Sequence, residues 1–463
     1  MCEIKICDQN RIKTVLAESG TRLSDILAGN GFFIDMPCGG SGTCGKCAVT
    51  VNGREEPACR YVINKDITVV LPENRDIVSD DGNSETTPNG KMCFALDIGT
   101  TTLALALVSL NSGKAVRVMT CVNSQRMSGA DVMSRIEYCR KNGVEKLHKA
   151  VIRDINGLIE RLDIKEKNPL FVAGNTTMLH IFFGVDCTSL GTAPYTPAFI
   201  ESQRADGSSL GLKKVSEIIS LPCISAFAGA DITAGLNYVS LPREGKYNLL
   251  VDLGTNAEIS LYNDGFCLCT SAAAGPCFEG ANISCGMSAV DGAVYAYRDG
   301  KAQVIGKGFA KGVCGTGLID IIAFLLDKGI VDKSGFMQRE EYEIADGVCV
   351  TQADIRQYQL AKSAVYSAIG ILADRSGVTY DNIETVYVSG GFSEGFNVES
   401  AVKTGLIPGE LAAKCVPAGN SSLRGTVKHA CGCGLPSFID KVEYIDLSTD
   451  TGFSKAFIEN MEF

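Results

Sequence analysis

Cys93-Phe94-Ala95-Leu96-Asp97-Ile98-Gly99-Thr100-Thr101-Thr102-Leu103-Ala104-Leu105 reads as a strand, a tight turn and a second strand. An apolar run ends on an aspartate, a Gly-Thr turn follows, and apolar sequence resumes. Farther along, Leu249-Leu250-Val251-Asp252-Leu253-Gly254-Thr255-Asn256-Ala257-Glu258-Ile259-Ser260-Leu261 repeats the plan. Two copies of one plan, well separated in the chain, predict two similar lobes facing each other across a cleft. The turns offer backbone N–H groups and hydroxyls to phosphate oxygens. Asp97 and Asp252, at the strand ends, suit Mg²⁺ or its waters. A nucleoside triphosphate answers both features.

A third element, Ile383-Glu384-Thr385-Val386-Tyr387-Val388-Ser389-Gly390-Gly391-Phe392, is a buried strand running into a double glycine. Bare backbone at that point lets a flat base or a ribose lie close. Gly312-Val313-Cys314-Gly315-Thr316-Gly317 opens an apolar helix from Leu318 to Leu326, and a helix N-terminus suits an anion. Each glycine loop alone reads equally well as an ordinary turn; the set of them points to a nucleotide. No G-x-x-x-x-G-K-[ST] run is present, so the phosphate site is not a P-loop.

Ahead of this region stands Pro37-Cys38-Gly39-Gly40-Ser41-Gly42-Thr43-Cys44-Gly45-Lys46-Cys47, with a further cysteine at Cys59. Four thiolates are the usual complement of a [2Fe–2S] cluster, and plant-type ferredoxins use a similar C-x4-C-x2-C run. Gly39, Gly40, Gly42 and Gly45 free the loop to wrap a cluster. Zinc is the weaker reading, because it favours paired C-x2-C knuckles and only one such pair exists. The flanks predict a β-grasp module: a hairpin of Ile4–Ile6 with Thr14–Leu16, a helix at Leu23–Leu27, and strands at Ala48–Val51 and Ile67–Val70. The gap from Cys47 to Cys59 is shorter than in common ferredoxins, which makes Cys59 the least typical ligand. Residues 73–91 are polar and turn-rich, a linker by composition.

The chain has 463 residues, with 43 basic and 53 acidic side chains and a net charge of −10. That balance argues against nonspecific nucleic-acid binding and against docking on anionic lipid. No stretch nears the ~20 apolar residues of a membrane span, and the first residues lack the layout of a signal peptide. The expected address is the cytoplasm. There, the 20 cysteines point to metal or redox chemistry rather than disulfides. Most are scattered singly and read as small buried apolar residues. With three histidines in all, a multi-histidine metal site is nearly excluded.

The two turns and the Gly-Gly element resemble the phosphate-1, phosphate-2 and adenosine motifs of the acetate kinase, sugar kinase, heat-shock chaperone and actin superfamily. Joined to an N-terminal [2Fe–2S] module, the chain resembles the reductive activators of corrinoid proteins. Gly129-Ala130-Asp131-Val132, Gly174-Asn175-Thr176-Thr177-Met178, Gly229-Ala230-Asp231-Ile232-Thr233-Ala234-Gly235 and Ala274-Gly275-Pro276-Cys277-Phe278-Glu279-Gly280 match as well. The resemblance implies an α/β two-lobed actin-like ATPase fold (92–463, lobes about 92–245 and 246–445) after an α+β β-grasp ferredoxin domain (1–72). Longer members carry a middle domain between linker and ATPase, which this chain is expected to lack. The implied activity is ATP-dependent electron transfer onto an inactive Co(II) corrinoid protein of a methyltransferase system, restoring Co(I). The implied cofactors are a [2Fe–2S] cluster on Cys38, Cys44, Cys47 and Cys59, ATP and Mg²⁺. The implied partners are the corrinoid protein and an electron donor, and the assembly a homodimer.

By the same resemblance, Asp97 and Asp252 orient Mg²⁺ and the attacking water. Gly99, Thr100, Thr101, Gly254, Thr255 and Asn256 cradle phosphates, with Gly315 and Thr316 at the next helix start. Gly390, Gly391 and Phe392 border the adenosine. Asp231 reads equally as a catalytic base and as a helix N-cap. Glu279 is within reach of the ribose. His180, at an apolar helix start, reads as a core histidine rather than a cobalt ligand. Cys267, Cys269, Cys277, Cys285 and Cys314 crowd near one lobe; a second cluster and plain buried thiols are both open, the latter favoured. Cys431-Gly432-Cys433 is equally ambiguous. Rival functions are an ATP-driven activase for another low-potential metalloenzyme, a small-molecule kinase with a regulatory cluster, and a chaperone-like binder of corrinoid proteins.

Overall fold

The computed structural model describes all residues except 9–10, 31, 33, 35–46, 72–89 and 391–394. The linker expected at 73–91 therefore lies almost wholly outside the described residues. Before it come β1 (Cys2–Asp8), β2 (Arg11–Ala17), α1 (Leu23–Gly29), β3 (Ala48–Val51), β4 (Arg54–Pro57) and β5 (Ile67–Val70). Their sheet runs β2-β1-β5-β3-β4, with β1 parallel to β5 and hairpins on either side. Alternation puts Ile4, Ile6, Val49, Val51 and Val69 on one face, where Leu23 and Leu27 of α1 close over them. This is the α+β arrangement expected of a β-grasp module.

The next unit holds β6 (Met92–Ile98), β7 (Thr102–Ser109), β8 (Lys114–Val122), α2 (Val132–Asn142), α3 (Glu145–Arg161), β9 (Asn168–Gly174), α4 (Thr176–Phe183), β10 (Arg204–Asp206), β11 (Val215–Ser220) and α5 (Ala230–Tyr238). The last holds β12 (Tyr247–Leu253), β13 (Ala257–Tyr262), β14 (Cys267–Ala272), β15 (Ala293–Arg298), β16 (Lys301–Val304), β17 (Gly312–Val313), α6 (Gly315–Asp327), β18 (Glu341–Ala345), β19 (Val348–Thr351), α7 (Gln352–Ser376), β20 (Ile383–Ser389), α8 (Val398–Lys403), β21 (Cys415–Gly419), α9 (Ser421–Ala430), β22 (Glu443–Ile445) and α10 (Thr451–Glu459).

The repeat read in the sequence is a repeat of topology. One sheet runs β11-β9-β6-β7-β8 with β10 added at its β11 edge; the other runs β21-β20-β12-β13-β14 with β22 added at the far edge. In each, an antiparallel three-strand meander continues into two parallel strands. α3 and α7 cover equivalent faces: Leu147, Val151, Ile155, Leu158 and Ile159 of α3 line up at helical spacing on the first core. Thr351 and Asp354 form a capping box at the start of the long α7.

One helix from each half crosses to the other. α9 lays Leu423 and Ala430 on Cys93, Ala95, Ala104 and Ala106 of the first sheet. α5 turns Ile232 and Leu236 toward Leu250 and Tyr262 of the second. The two helices touch through glycine. A Cβ built on Gly425 falls 1.7 Å from the Ala234 carbonyl oxygen, and one on Gly235 falls 2.9 Å from Ser421 Oγ. Asn237 Nδ2 donates to Gly425 O at 3.1 Å, and Lys428 Nζ to Asn237 O at 2.6 Å.

Two glycine substitutions should part company. Gly425→Ala drives a methyl into backbone and should cost at least about 2 kcal/mol. Gly157→Ala, within α3 with nothing inside 4 Å of the new carbon, should be neutral or stabilising by about 0.5–1 kcal/mol. Thermal unfolding checks both, and equal effects would contradict the close crossing.

Candidate nucleotide cleft and paired thiols

Asp97 and Asp252 are the penultimate residues of β6 and β12, pointing into one cavity of about 1540 Å³. The two turns line it, as Gly99, Thr100, Thr101 and Gly254, Thr255, Asn256; so do Gly315, Thr316 and Gly390. Gly391 and Phe392 lie outside the described residues. Gly390 has φ +124°, and a Cβ there would meet Leu253 O at 2.3 Å. The equivalent Gly174 would bring a Cβ to 2.9 Å from Ile98 O. Both sheets thus draw the neighbouring strand end tight against the aspartate-bearing strand, where only glycine fits.

The first turn is braced from behind. Asn123 Nδ2 donates to Gly99 O at 2.8 Å, and Arg135 Nη2 to Thr100 O at 2.5 Å. Arg135 is fully buried and also donates to Gly129 O and Gln125 Oε1. Burial lowers its pKa to about 9. Asn175 caps α4 through Met178 N and donates its amide to Thr100 Oγ1 at 3.2 Å. Thr316 spends its hydroxyl proton on Tyr295 O at 2.7 Å. Glu279 lies at neither edge of the cleft: its Oε2 accepts from Thr101 Oγ1 at 3.0 Å and from Thr255 Oγ1 at 2.5 Å.

Asp97 is held across the lobes. Asn420 Nδ2 donates to its Oδ2 and Ser422 Oγ to its Oδ1, both at 2.8 Å. Those bonds pull its pKa down against the larger upward push of burial. Asp252 rises to about 7 through burial and then the charge of Asp97, with Ser389 working against the shift. Asp231 also rises to about 7, through burial, Asp252 and Asp97. It is not the cap of α5, which is Gly229; it sits in the first turn, with Oδ1 accepting from Ile232 N. Asp131, in the similar Gly129-Ala130-Asp131 run, does cap its helix, in a capping box with Ser134. A fourth carboxylate, Glu258, stands opposite Asp252 in the β12–β13 register and is pushed well up by burial, Asp231 and Asp252.

Among the described residues no three His, Cys, Asp or Glu side chains converge as a metal site. Mg²⁺ seldom asks for that: it keeps waters and takes one or two carboxylates together with substrate phosphates. Asp97 and Asp252, beside the phosphate-type turns, supply that donor set. Cys47 Sγ and Cys59 Sγ lie 3.2 Å apart in the core of the first module, a spacing at which two thiolates can share one cluster. Cys38 and Cys44 lie outside the described residues.

Cys267, Cys269, Cys277, Cys285 and Cys314 do not converge as a metal-binding group among the described residues. Cys267 and Cys269 face α5 in one core, while Cys277 is buried in another. Cys314 leans on Val294 O, and Cys285 accepts from Cys349 N. Burial drives the Cys269 and Cys277 thiols up to about 12, away from the thiolate a metal needs. His180 is a core residue: fully buried, stacked on Phe199 at 4.2 Å, its Nε2 accepting from Ala198 N and its Nδ1 donating to Thr176 O.

The raised carboxylates make a signed prediction. Unfolded aspartate titrates near ~3.9. In the fold, Asp231 and Asp252 keep their protons up to about 7. Their contribution to stability is complete below the unfolded value and is lost as pH rises through the folded one. Without divalent cation, Asp252→Asn should therefore gain more melting temperature over wild type at pH 8 than at pH 5. An equal difference at both would contradict the assignment.

Comparisons with known proteins follow the same division. A family model described as the C-terminal ASKHA domain of RACo matches residues 246–463, and one described as the RACo middle region matches 92–244. The chain therefore carries the middle region it was expected to lack. That region is no insertion ahead of the ATPase: it is the first six-stranded lobe itself, bearing the first Gly-Thr turn. The corrinoid activation enzyme RamQ of Eubacterium limosum is 29% identical over 80% of this chain and 70% of its own. A [Co(II) methylated amine-specific corrinoid protein] reductase of Methanosarcina barkeri is 27% identical over 71% of this chain and 68% of its own. A solved structure of a reductive activator for a corrinoid, iron-sulfur protein shares the fold, with a TM-score of 0.74, 24% identity, and coverage of 100% of this chain and 98% of that one. With two models of one family laid end to end from residue 92 to 463, a double-turn cleft between matched lobes and relatives of the same kind, the chain belongs to the RACo family of reductive activators of corrinoid proteins.

Proposed function

We propose that this chain is an ATP-dependent reductive activase: it passes an electron through an N-terminal [2Fe–2S] module to a Co(II) corrinoid protein of a methyltransferase system and restores Co(I). The observation that carries the reading is the 3.2 Å pairing of Cys47 and Cys59 on the same chain as the double-turn cleft. The names of the two curated relatives, a corrinoid activation enzyme and a Co(II) corrinoid protein reductase, support the acceptor. We assign residues 1–72 to the electron-carrying domain, 73–91 to the linker and 92–463 to the ATPase, with lobes of about 92–245 and 246–445. Cys38, Cys44, Cys47 and Cys59 would hold the cluster, which when bound supplies one-electron transfer. A separate electron donor, a homodimeric assembly and a cytoplasmic address complete the proposal. Among the described residues no helix is long and apolar enough to cross a membrane.

The residues divide the work. Thr100, Thr101, Thr255 and the backbone of both turns take the phosphates. Asp97 and Asp252 would hold Mg²⁺ directly or through its waters. Asp231, whose pKa is raised to about 7, would take a proton from the attacking water. Gly390 leaves backbone bare for the adenosine. ATP bridging both lobes favours one cleft geometry over another, and a partner that binds one geometry better is thereby biased. That is how hydrolysis can assist an unfavourable reduction.

The protein prepared anaerobically with iron and sulfide should be brown and carry about two irons per chain. Cys47→Ser and Cys59→Ser should each lose that absorption while the melting transition of the ATPase lobes stays put. An unaltered spectrum in both would contradict the ligand set.

Asp252→Ala should slow phosphate release by about 10–100-fold without lowering the melting temperature. The product should be free phosphate; a phosphorylated small molecule would make the chain a kinase instead.

A further inference from the structure

Glu279 closes the single helical turn Pro276–Glu279, flanked by Gly275 and Gly280, both at positive φ near +77°. That turn is pinned. A Cβ on Gly280 would fall 2.2 Å from Met287 O, and one on Gly315 would fall 2.1 Å from Phe278 O. The carboxylate is thus delivered by backbone that has little room to shift. One oxygen, Oε2, takes hydroxyl protons from both turns, Thr101 at 3.0 Å and Thr255 at 2.5 Å. Thr101 belongs to the first lobe and Thr255 to the second, so a single atom ties the lobes at the place where the phosphate turns face each other.

A threonine hydroxyl has one proton. While Thr101 and Thr255 donate to Glu279, neither can donate to a phosphate oxygen. We propose that Glu279 is a positioning residue that competes with the nucleotide's phosphates for these two hydroxyls, so that binding exchanges a carboxylate tie between the lobes for a phosphate bridge. The inference rests on reading the cavity as an ATP cleft. It gives the cleft two distinct cross-lobe linkages of similar chemistry, anion to paired hydroxyls. The choice between them is set by the nucleotide. A carboxylate beside the phosphates is itself unfavourable to a bound polyanion, in the same direction as the competition for protons.

The test is calorimetric binding of Mg²⁺-ADP and Mg²⁺-ATP to the full chain. Glu279→Ala removes the competitor and should bind about tenfold more tightly than wild type, the worth of one charge-assisted hydrogen bond. Glu279→Gln keeps an acceptor but no charge and should gain less. The KM for ATP should fall in the same order. A damaged fold binds less tightly, so it cannot imitate this sign. If the alanine variant does not fold, the isosteric glutamine variant decides, and affinity equal to or below wild type overturns the proposal. Unchanged or weaker binding by a folded Glu279→Ala overturns it likewise and marks Glu279 as a ligand-holding group. Wild type that bound neither nucleotide would overturn the ATP reading, and the tie with it.

Discussion

Asp97 is satisfied by the start of a helix whose cap, Asn420, lies 323 residues later. Its two oxygens take Asn420 and Ser422 at the start of α9, and α9 in turn rests Gly425 against the Ala234 carbonyl of α5. The rest of the arrangement depends on this contact. α9 belongs to the second half by sequence yet packs on the first sheet; α5, from the first half, packs on both. A cleft built this way cannot change without moving the helix crossing. Nor can the crossing move without disturbing the hydrogen bonds of the carboxylate that lines the cleft.

What local chemistry alone demands was legible in the sequence. Asp-x-Gly-Thr recurs because each sheet needs a carboxylate at a strand end and a turn of small, hydroxylated residues beside it. The shared strand order of the two sheets follows from that recurrence. Gly390 was legible for the same reason, since its φ and the nearness of Leu253 O tolerate no side chain. Residues brought in by register or by distant helices were not. Glu258 is a site carboxylate only because β13 pairs with β12, and its counterpart in the first sheet is Ala104. Asn420 and Ser422 stand at a helix start that nothing in the sequence ties to Asp97. Aligning the two repeats residue by residue would have flagged Glu258; no local signal marks the other two. Glu279 was noticed for its motif but assigned toward ribose, because nothing in the motif says that it reaches both turns.

Five carboxylates, Asp97, Asp231, Asp252, Glu258 and Glu279, line one cleft, where burial first and the neighbouring charges second raise the titration of Asp231 and Asp252. Such a cleft is suited to a bound cation. The N-terminal module has a different logic. Two of its described thiols, Cys47 and Cys59, are buried side by side in a small hydrophobic core, and its sheet is built independently of either lobe. The paired thiols and the double-turn cleft are thus kept on separate folds of one chain.

The central claim is that these two folds act together on a corrinoid. The measurement that tests it most directly is the Co(I) absorbance of a Co(II) corrinoid protein mixed anaerobically with the full chain and a reductant that reduces the chain's cluster, with and without Mg²⁺-ATP. The account predicts rapid Co(I) formation only when the intact chain and ATP are both present. Co(I) appearing equally fast without ATP, or never appearing although the cluster is reduced and ATP is hydrolysed, would contradict it.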